Sequence, residues 1–114
     1  MTGVQTCALP ISAIRARFIR RVFTEAEIAQ AQDDNDTLSG IFAAKEAVSK
    51  TLGTGIGKVA WQDIEILHAP SGEPGVTLHG VALEVAQAKG LAEWAVSITH
   101  EGGMAAAVAV AQSA

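Results

Sequence analysis

The spacing of apolar residues changes at Gly53, and this change limits the folds open to the chain. Before Gly53, one apolar stripe recurs every three or four residues, which predicts an amphipathic helix. Its members are Ile41, Ala44, Val48 and Leu52. The polar residues expected largely off this stripe are Lys45, Glu46, Ser49 and Lys50. After Gly53, Ile64 and Ile66 alternate with polar residues, as in a strand with one buried face. Helices followed by strands predict an α+β fold, with a mainly antiparallel sheet and helices packed on it.

Helix caps and a polar loop divide the part of the chain before Gly53 into separate helices. Thr24 and Glu27 have the spacing of a capping box, so a helix over 13–32 should break near Phe23 and restart at Glu25. A polar loop over 33–36 should separate it from a helix that begins at Thr37 or Ser39 and ends at Leu52. A further helix is expected over 80–89.

Two hairpins are expected in the second half. The predicted strands cover 63–68, 76–79, 94–99 and 104–111. The last of them is rich in alanine, the best helix former, so a helix is the open alternative there. The preceding Gly102 and Gly103 and the alternating Val108 and Val110 favour the strand.

The composition suits one small domain. The chain has 114 residues, 49% of them apolar but only 4% aromatic, so its core has little bulk and an oligomer would bury more surface. A net charge of −4 argues against nucleic-acid binding. The single cysteine, Cys7, suits the reducing cytoplasm. No apolar run is long enough for a membrane span, and the start of the chain lacks the features of a signal peptide.

Several polar residues allow a structural and a functional interpretation. Glu46 and Lys50, four residues apart, share a helix face and form either a surface ion pair of about 0.3–0.5 kcal/mol or a metal and phosphate site. The glycine-rich stretch 53–57 lacks the Walker spacing and predicts a helix cap and a turn. His100 closes a strand and by itself is more typical of a structural or exposed histidine. The histidines and Cys7 have no zinc-ligand spacing.

All the arginines of the chain fall within one short stretch: Arg15, Arg17, Arg20 and Arg21. Most basic helix faces are simply solvated. Like charges this close repel each other, however, and an acidic partner would relieve that repulsion.

The segment Phe42–Lys50 reads Phe-Ala-Ala-Lys-Glu-Ala-Val-Ser-Lys and is followed by Leu-Gly-Thr-Gly. Together they resemble the signature of the small holo-acyl-carrier-protein synthases, the short class of 4′-phosphopantetheinyl transferases. Three further blocks agree in the same order: 20–27 with the first helix, 63–80 with the central hairpin and 94–110 with the final hairpin. The resemblance covers one domain, 13–114.

The resemblance implies transfer of 4′-phosphopantetheine from coenzyme A to a serine of acyl carrier protein, in the fatty acid biosynthesis of the cytoplasm. It implies that Glu46 binds Mg²⁺ and that Lys50 stabilises or protonates the leaving phosphate. Lys50, Gly53, Gly55 and His100 would lie near coenzyme A. The four arginines would receive the carrier protein, and the assembly would be a homotrimer with its sites between subunits.

The first residues depart from that family. Residues 1–12 resemble a non-native leader, and the family's opening Gly-x-Asp-x-x-x-Ile strand, whose aspartate is a second metal ligand, is not in the sequence. Ile41 also stands where relatives often carry a basic or aromatic residue. We therefore expect weak or no transfer by the chain as written. The alternatives are a non-catalytic α+β oligomer that binds carrier protein or nucleotide, and a fragment without a stable fold.

Overall fold

A computed structural model describes residues 11–114. In chain order its elements are α1 (Ile11–Val22), α2 (Glu25–Ala31), α3 (Asn35–Leu52), a 3₁₀ helix (Trp61–Asp63), β1 (Ile64–His68), β2 (Pro74–Leu78), α4 (Gly80–Ala88), β3 (Glu93–Glu101) and β4 (Met104–Gln112). Most of the predicted leader lies outside the described residues. Within them, no helix has the length and apolar character needed to cross a membrane.

The helix boundaries follow from their caps. The Thr24 hydroxyl accepts from the Glu27 amide at 3.2 Å, and the Glu27 carboxylate accepts from the Thr24 amide at 2.8 Å, which confirms the capping box. Helix α3 begins at Asn35, earlier than predicted, because the Asp34 carboxylate accepts from the Thr37 amide at 3.0 Å and caps the first turn. That turn is polar, so apolar periodicity alone could not reveal it.

Helix α3 lies at the centre of the core. The predicted stripe is fully buried at all four positions: Ile41, Ala44, Val48 and Leu52. It packs with Val22 and Phe23 from the first helical segment, with Ile64 and Ile66 of β1, and with Ala82 of α4. The helices therefore enclose one apolar core together with the inner faces of the strands.

Both hairpins are antiparallel, which confirms the predicted class. Ile66 pairs with Val76 in the first, and Ser97 with Val108 in the second. The two hairpins form separate two-stranded sheets, with β2 packed next to β3. The alanine-rich end is a strand over its whole predicted length, so the helical alternative is wrong.

The outer edge of β1 is covered by side chains in place of another strand. The Ile66 amide donates to Oε2 of Glu27 at 2.7 Å. Gln30 accepts from the His68 amide at 2.7 Å and donates to the His68 carbonyl at 2.8 Å. Lys45 donates to the Ile64 carbonyl. Backbone groups that would otherwise be unpaired at a sheet edge are thereby satisfied.

In β4 the less hydrophobic side chains face the core and the more hydrophobic ones face outward. Ala107 and Ala109 pack on the core, whereas Val108 and Val110 point outward and are 66% and 59% exposed. Met104, at the start of the strand, is 76% exposed. The second hairpin thus presents an apolar outer face.

Candidate active site on helix α3

The polar face of α3 carries Glu46 and Lys50, as predicted. Glu46 is half-buried and Lys50 is exposed. Four residues correspond to about 400° of helical rotation, so the two side chains leave the helix one turn apart and in nearly the same direction. Within residues 11–114 the ion pairs are Arg15–Asp33, Lys45–Glu27 and His79–Glu65, so neither Glu46 nor Lys50 is neutralised by a direct partner there.

Glu46 and Lys50 line a groove of about 380 Å³ between α3 and β4. The opposite wall is formed by Ala107, Val108 and Ala109. The Thr51 hydroxyl donates to the Ala47 carbonyl at 2.9 Å within α3, and it also lies 3.4 Å from the Ala109 carbonyl of β4. The small side chains of Ala107 and Ala109 leave open space beside Glu46 and Lys50.

A second cavity, also of about 380 Å³, lies between α1 and α3 and again includes Glu46. It is largely apolar: Phe18 and Phe42 have ring centroids 5.8 Å apart, and Phe42 stacks on Trp61 at 4.8 Å. Arg15 lies at its margin. Glu46 is therefore shared by an apolar cavity and a polar groove.

The sequence pattern was wrong about Lys45 and Ser49, which were expected largely off the buried stripe with Glu46. Lys45 is fully buried and Ser49 is 2% exposed. The ammonium of Lys45 lies 2.8 Å from Oε1 of Glu27, and both side chains are inaccessible to solvent. Burial lowers the pKa of Lys45, while the Glu27 carboxylate acts in the opposite direction. The Ser49 hydroxyl donates to the Glu46 carbonyl at 2.7 Å, which satisfies it inside the helix.

Gly53 and Gly55 end helix α3. The Gly53 amide donates to the Lys50 carbonyl at 3.0 Å and the Gly55 amide to the Ser49 carbonyl at 3.1 Å. Gly53 has a φ of 85°, which favours glycine at a helix end. The helix-cap interpretation is confirmed, and these two amides already have acceptors. A role near coenzyme A stays a prediction.

His100 lies at the other end of α3. Its Nε2 is 2.8 Å from the carbonyl of Asp36, in the first turn. The same ring lies against Gly40. Asp36 and Gly40 precede Glu46 by ten and six residues, about 15 and 9 Å along the helix. Neither cavity that contains Glu46 is lined by His100. Within one chain the structure therefore does not bring His100 together with Glu46 and Lys50.

The arginines differ in their surroundings. Arg15 is partly buried and donates to the side chains of Asp33 at 3.1 Å and Asn35 at 2.6 Å, which ties α1 to the turn before α3. Arg17, Arg20 and Arg21 are exposed. The predicted basic surface thus consists mainly of these three.

The residues that sequence reasoning missed are Lys45, Glu27 and the pair His79–Glu65. Glu27 was expected only as a capping residue. His79 lies at the start of α4, with Nε2 3.1 Å from Oε1 of Glu65. These contacts join residues that are distant in sequence, so the local sequence pattern contains no signal for them.

The donor set around Glu46 fits Mg²⁺ only in part. Within residues 11–114 no group of three or more metal-ligating side chains occurs. Mg²⁺ commonly takes one or two carboxylates and completes its shell with water and substrate phosphates. The half-buried carboxylate of Glu46 supplies one such ligand beside the groove, and within residues 11–114 no second carboxylate lines that groove.

Comparisons with known proteins identify the family of the chain. A family model described as the 4′-phosphopantetheinyl transferase superfamily matches residues 4–109. The chain is 45% identical over 100 residues to the holo-[acyl-carrier-protein] synthase of Caldanaerobacter subterraneus, covering 85% of this chain and 79% of that protein. It is 48% identical over 96 residues to that of Solidesulfovibrio magneticus, covering 82% and 78%.

Solved structures give the same result. The Helicobacter pylori holo-[acyl-carrier-protein] synthase in complex with coenzyme A superposes with a TM-score of 0.80 at 32% identity, covering 90% of this chain and 87% of that one. The synthase from Bacillus anthracis, in complex with CoA (3′,5′-ADP), gives a TM-score of 0.72 at 32% identity, with 91% and 87% covered.

Helices packed on two antiparallel hairpins are the fold that the chain shares with these transferases, and the chain belongs to the 4′-phosphopantetheinyl transferase superfamily. Within that superfamily it belongs with the holo-[acyl-carrier-protein] synthases, which are enzymes. The resemblance noted from Phe42–Lys50 is thereby confirmed.

Proposed function

We propose that the chain transfers 4′-phosphopantetheine from coenzyme A to a serine of acyl carrier protein, in a reaction that depends on Mg²⁺. The observation that carries this proposal is the placement of Glu46 and Lys50 together in the groove between α3 and β4. The Helicobacter pylori relative is a holo-[acyl-carrier-protein] synthase whose structure contains coenzyme A.

In the proposed reaction the serine oxygen forms a bond to the β-phosphorus of coenzyme A, and the bond from that phosphorus to the 3′,5′-ADP oxygen breaks. The serine proton passes to water, and the leaving phosphate gains negative charge. Lys50, exposed at the groove, stabilises that charge or donates a proton to it. Glu46 holds Mg²⁺, which when bound neutralises charge on the phosphates.

The second metal ligand implied by the resemblance, an aspartate on an opening strand, is not in the sequence. Glu46 would then hold the metal without that carboxylate, so we expect weak Mg²⁺ binding and weak or absent transfer. A variant that carries a Gly-x-Asp-x-x-x-Ile segment in place of the leader should be more active. Equal activity in the two forms would show that the missing aspartate is not the reason.

The carrier protein is proposed to dock on α1. Arg17, Arg20 and Arg21 supply exposed positive charge, and Ile14 and Phe18 supply exposed apolar surface at 53% and 48%. A basic helix with apolar side chains suits an acidic helical partner, because charge steers the encounter and apolar contacts hold it. The partial burial of Arg15 by Asp33 and Asn35 gives it a smaller share of this surface.

We also propose that the enzyme works as a homotrimer with its sites between subunits. Two observations support this assembly. The outer face of the β3–β4 hairpin is apolar, with Met104, Val108 and Val110 exposed. His100 contacts Asp36 and Gly40, about 15 and 9 Å along α3 from Glu46, and a role for His100 near the coenzyme A of a neighbouring subunit fits sites that lie between subunits. The pathway would be fatty acid biosynthesis in the cytoplasm, in keeping with the single cysteine.

The test is an assay of the mass gain of apo-acyl carrier protein in the presence of coenzyme A and Mg²⁺. We expect a weak signal from the chain as written, and its loss in Glu46→Gln and Lys50→Met. Glu84→Gln, an exposed glutamate on α4, is the matched control and should behave as the original chain. Robust turnover would contradict the expected impairment, and activity that survives Glu46→Gln would contradict the proposed role of Glu46.

The competing proposal is a non-catalytic oligomer that binds carrier protein or nucleotide. It predicts binding of coenzyme A without transfer, and no effect of Glu46→Gln on the Mg²⁺ dependence of that binding. Calorimetric titration of coenzyme A with and without Mg²⁺ separates the two proposals. Circular dichroism and size-exclusion chromatography of the same sample test whether the chain folds and assembles.

A further inference from the structure

Lys45 and Glu27 form a buried ion pair that the proposed reaction does not use. Lys45 directly precedes Glu46 in the chain. The charged atoms of the ion pair are 2.8 Å apart and neither side chain is exposed. We propose that this pair is a positioning device, which fixes the rotation of α3 about its axis and so directs Glu46 and Lys50 into the groove. The inference rests on the proposed function, because it gives the pair a purpose at that site.

The hydrogen bonds of Lys45 are saturated and directional. Its ammonium has three donors. They meet Oε1 of Glu27, the Trp61 carbonyl at 3.0 Å and the Ile64 carbonyl at 2.5 Å. The Glu27 carboxylate is equally occupied, since Oε1 also accepts from the Thr24 amide and Oε2 from the Ile66 amide. Every bond of the pair has a defined direction, and no part of it is left to solvent.

These bonds join α3 to three other parts of the fold. Glu27 belongs to α2, Trp61 to the 3₁₀ helix, and Ile64 and Ile66 to β1. The buried stripe of α3 is purely apolar, and apolar contacts are non-directional, so the stripe alone allows the helix to turn or slide slightly. Lys45 removes that freedom, because its ammonium reaches all its acceptors at one orientation of the helix.

The link to the site is geometric. Successive residues of a helix differ by about 100°, so the direction of Glu46 is set once that of Lys45 is fixed. A displacement of about 1 Å at a reacting group can reduce a rate by about 100-fold. A buried ion pair, in contrast, is a weak source of stability, and apolar replacements are often neutral. The pair is therefore better explained as a means of orienting α3 than as a source of stability for the fold.

The test uses the double variant Glu27→Gln/Lys45→Met, which removes both charges and keeps the side-chain volumes similar. Val59→Ala, at a fully buried core position in the connector after α3, is the stability control. Glu46→Gln shows how much the affinity for Mn²⁺ falls when the proposed metal ligand itself is removed. Two quantities are measured in each: the affinity for Mn²⁺ in the presence of coenzyme A, by electron paramagnetic resonance, and the pattern of methyl NOEs between the alanines of α3 and β4.

We expect the double variant to fold cooperatively, to bind Mn²⁺ at least tenfold more weakly and to show an altered α3–β4 NOE pattern. Val59→Ala should keep both the affinity and the pattern. Unchanged affinity and NOEs in the double variant would overturn the inference, and so would an equal loss in Val59→Ala, which would indicate a general effect of stability. If the double variant does not fold, Glu27→Gln alone, which leaves the carbonyl acceptors of Lys45 in place, is measured with the same expectations.

The two measurements distinguish a failure of the proposed function from a failure of this inference. Equal Mn²⁺ binding by the original chain and Glu46→Gln would contradict Glu46 as the metal ligand. The NOE comparison would still decide whether the pair fixes the orientation of α3, because it depends only on the fold.

Discussion

The side chain of His100 lies directly against the backbone of Gly40. A methyl group at Gly40 would come within 2.9 Å of Nε2 of His100 and 3.0 Å of Cγ2 of Ile98. The absence of a side chain at this point lets β3 approach α3 closely, and it places Nε2 of His100 beside the Asp36 carbonyl. The position of His100 is therefore set by a glycine on another element.

Gly40→Ala should destabilise the protein by about 1–3 kcal/mol through overpacking, despite the better helix propensity of alanine. Urea denaturation measures the difference. Combining it with His100→Ala should recover part of the loss, because Nε2 is the nearest atom to the added methyl. A more stable Gly40→Ala would show that helix propensity outweighs the contact with β3.

The stability of the fold should depend on the ionisation of Glu65. The hydrogen bond from the Thr24 hydroxyl, at 2.6 Å, lowers the pKa of Glu65, and the hydrogen bond and charge of His79 add to this effect. A carboxyl whose pKa is lower in the folded state stabilises the fold at pH values above its unfolded pKa. This contribution is lost as the pH falls through the folded pKa.

Glu65→Gln should accordingly be less stable than the original chain near pH 7, and the difference should shrink as the pH is lowered below the unfolded pKa of the carboxyl. Urea denaturation at a series of pH values gives both curves. Glu73→Gln, an exposed glutamate in the turn before β2, is the control and should show a smaller pH-dependent difference. A constant gap between Glu65→Gln and the original chain across the series would contradict the prediction.

Charge reversal on α1 should weaken the proposed docking of the carrier protein. Arg17→Glu/Arg21→Glu changes two exposed residues one turn apart, and we expect the apparent affinity for carrier protein to fall at least tenfold at low salt. Binding of coenzyme A should be unaffected. The single variants Arg21→Glu and Lys58→Glu change the net charge equally, so Lys58→Glu, at an exposed cation in the connector after α3, is the control for Arg21→Glu and should have the smaller effect. Equal losses in the two variants would point to a non-specific charge effect.

The outer face of the second hairpin should be the assembly surface. Val108→Asp places a charge at the centre of the apolar face, and we expect a trimer to dissociate into monomers in sedimentation analysis, because an unpaired charge in an interface is costly. Leu83→Asp alters an exposed apolar residue on α4 and should leave the trimer intact. A trimer that survives Val108→Asp would exclude this face as the contact.

Local patterns in the sequence were sufficient for most of the secondary structure. The capping box at Thr24 and Glu27, the stripe from Ile41 to Leu52 and the glycine after it all lie where they were predicted. Residues within one helical turn or one strand determine these features, so they can be read without knowledge of the fold.

The faces of β4 could not be predicted in the same way. The sequence shows that Ala107 and Ala109 alternate with Val108 and Val110, and hydrophobicity alone would place the valines inside. In the structure the alanines face the core and the valines face outward. Close packing of β4 on α3 explains this choice, because small side chains let the strand approach the helix.

Local sequence patterns identify the family, the order of helices and hairpins, and the common face of Glu46 and Lys50, because each depends on residues close together in the chain. No local pattern predicts that Lys45 is buried while its neighbour Glu46 opens on a groove, or that His100 lies beside Gly40 in the first half of α3; the packing of distant elements determines both. Burial of a charge requires a partner to offset its lost hydration. For Lys45 that partner is Glu27, on a different helix.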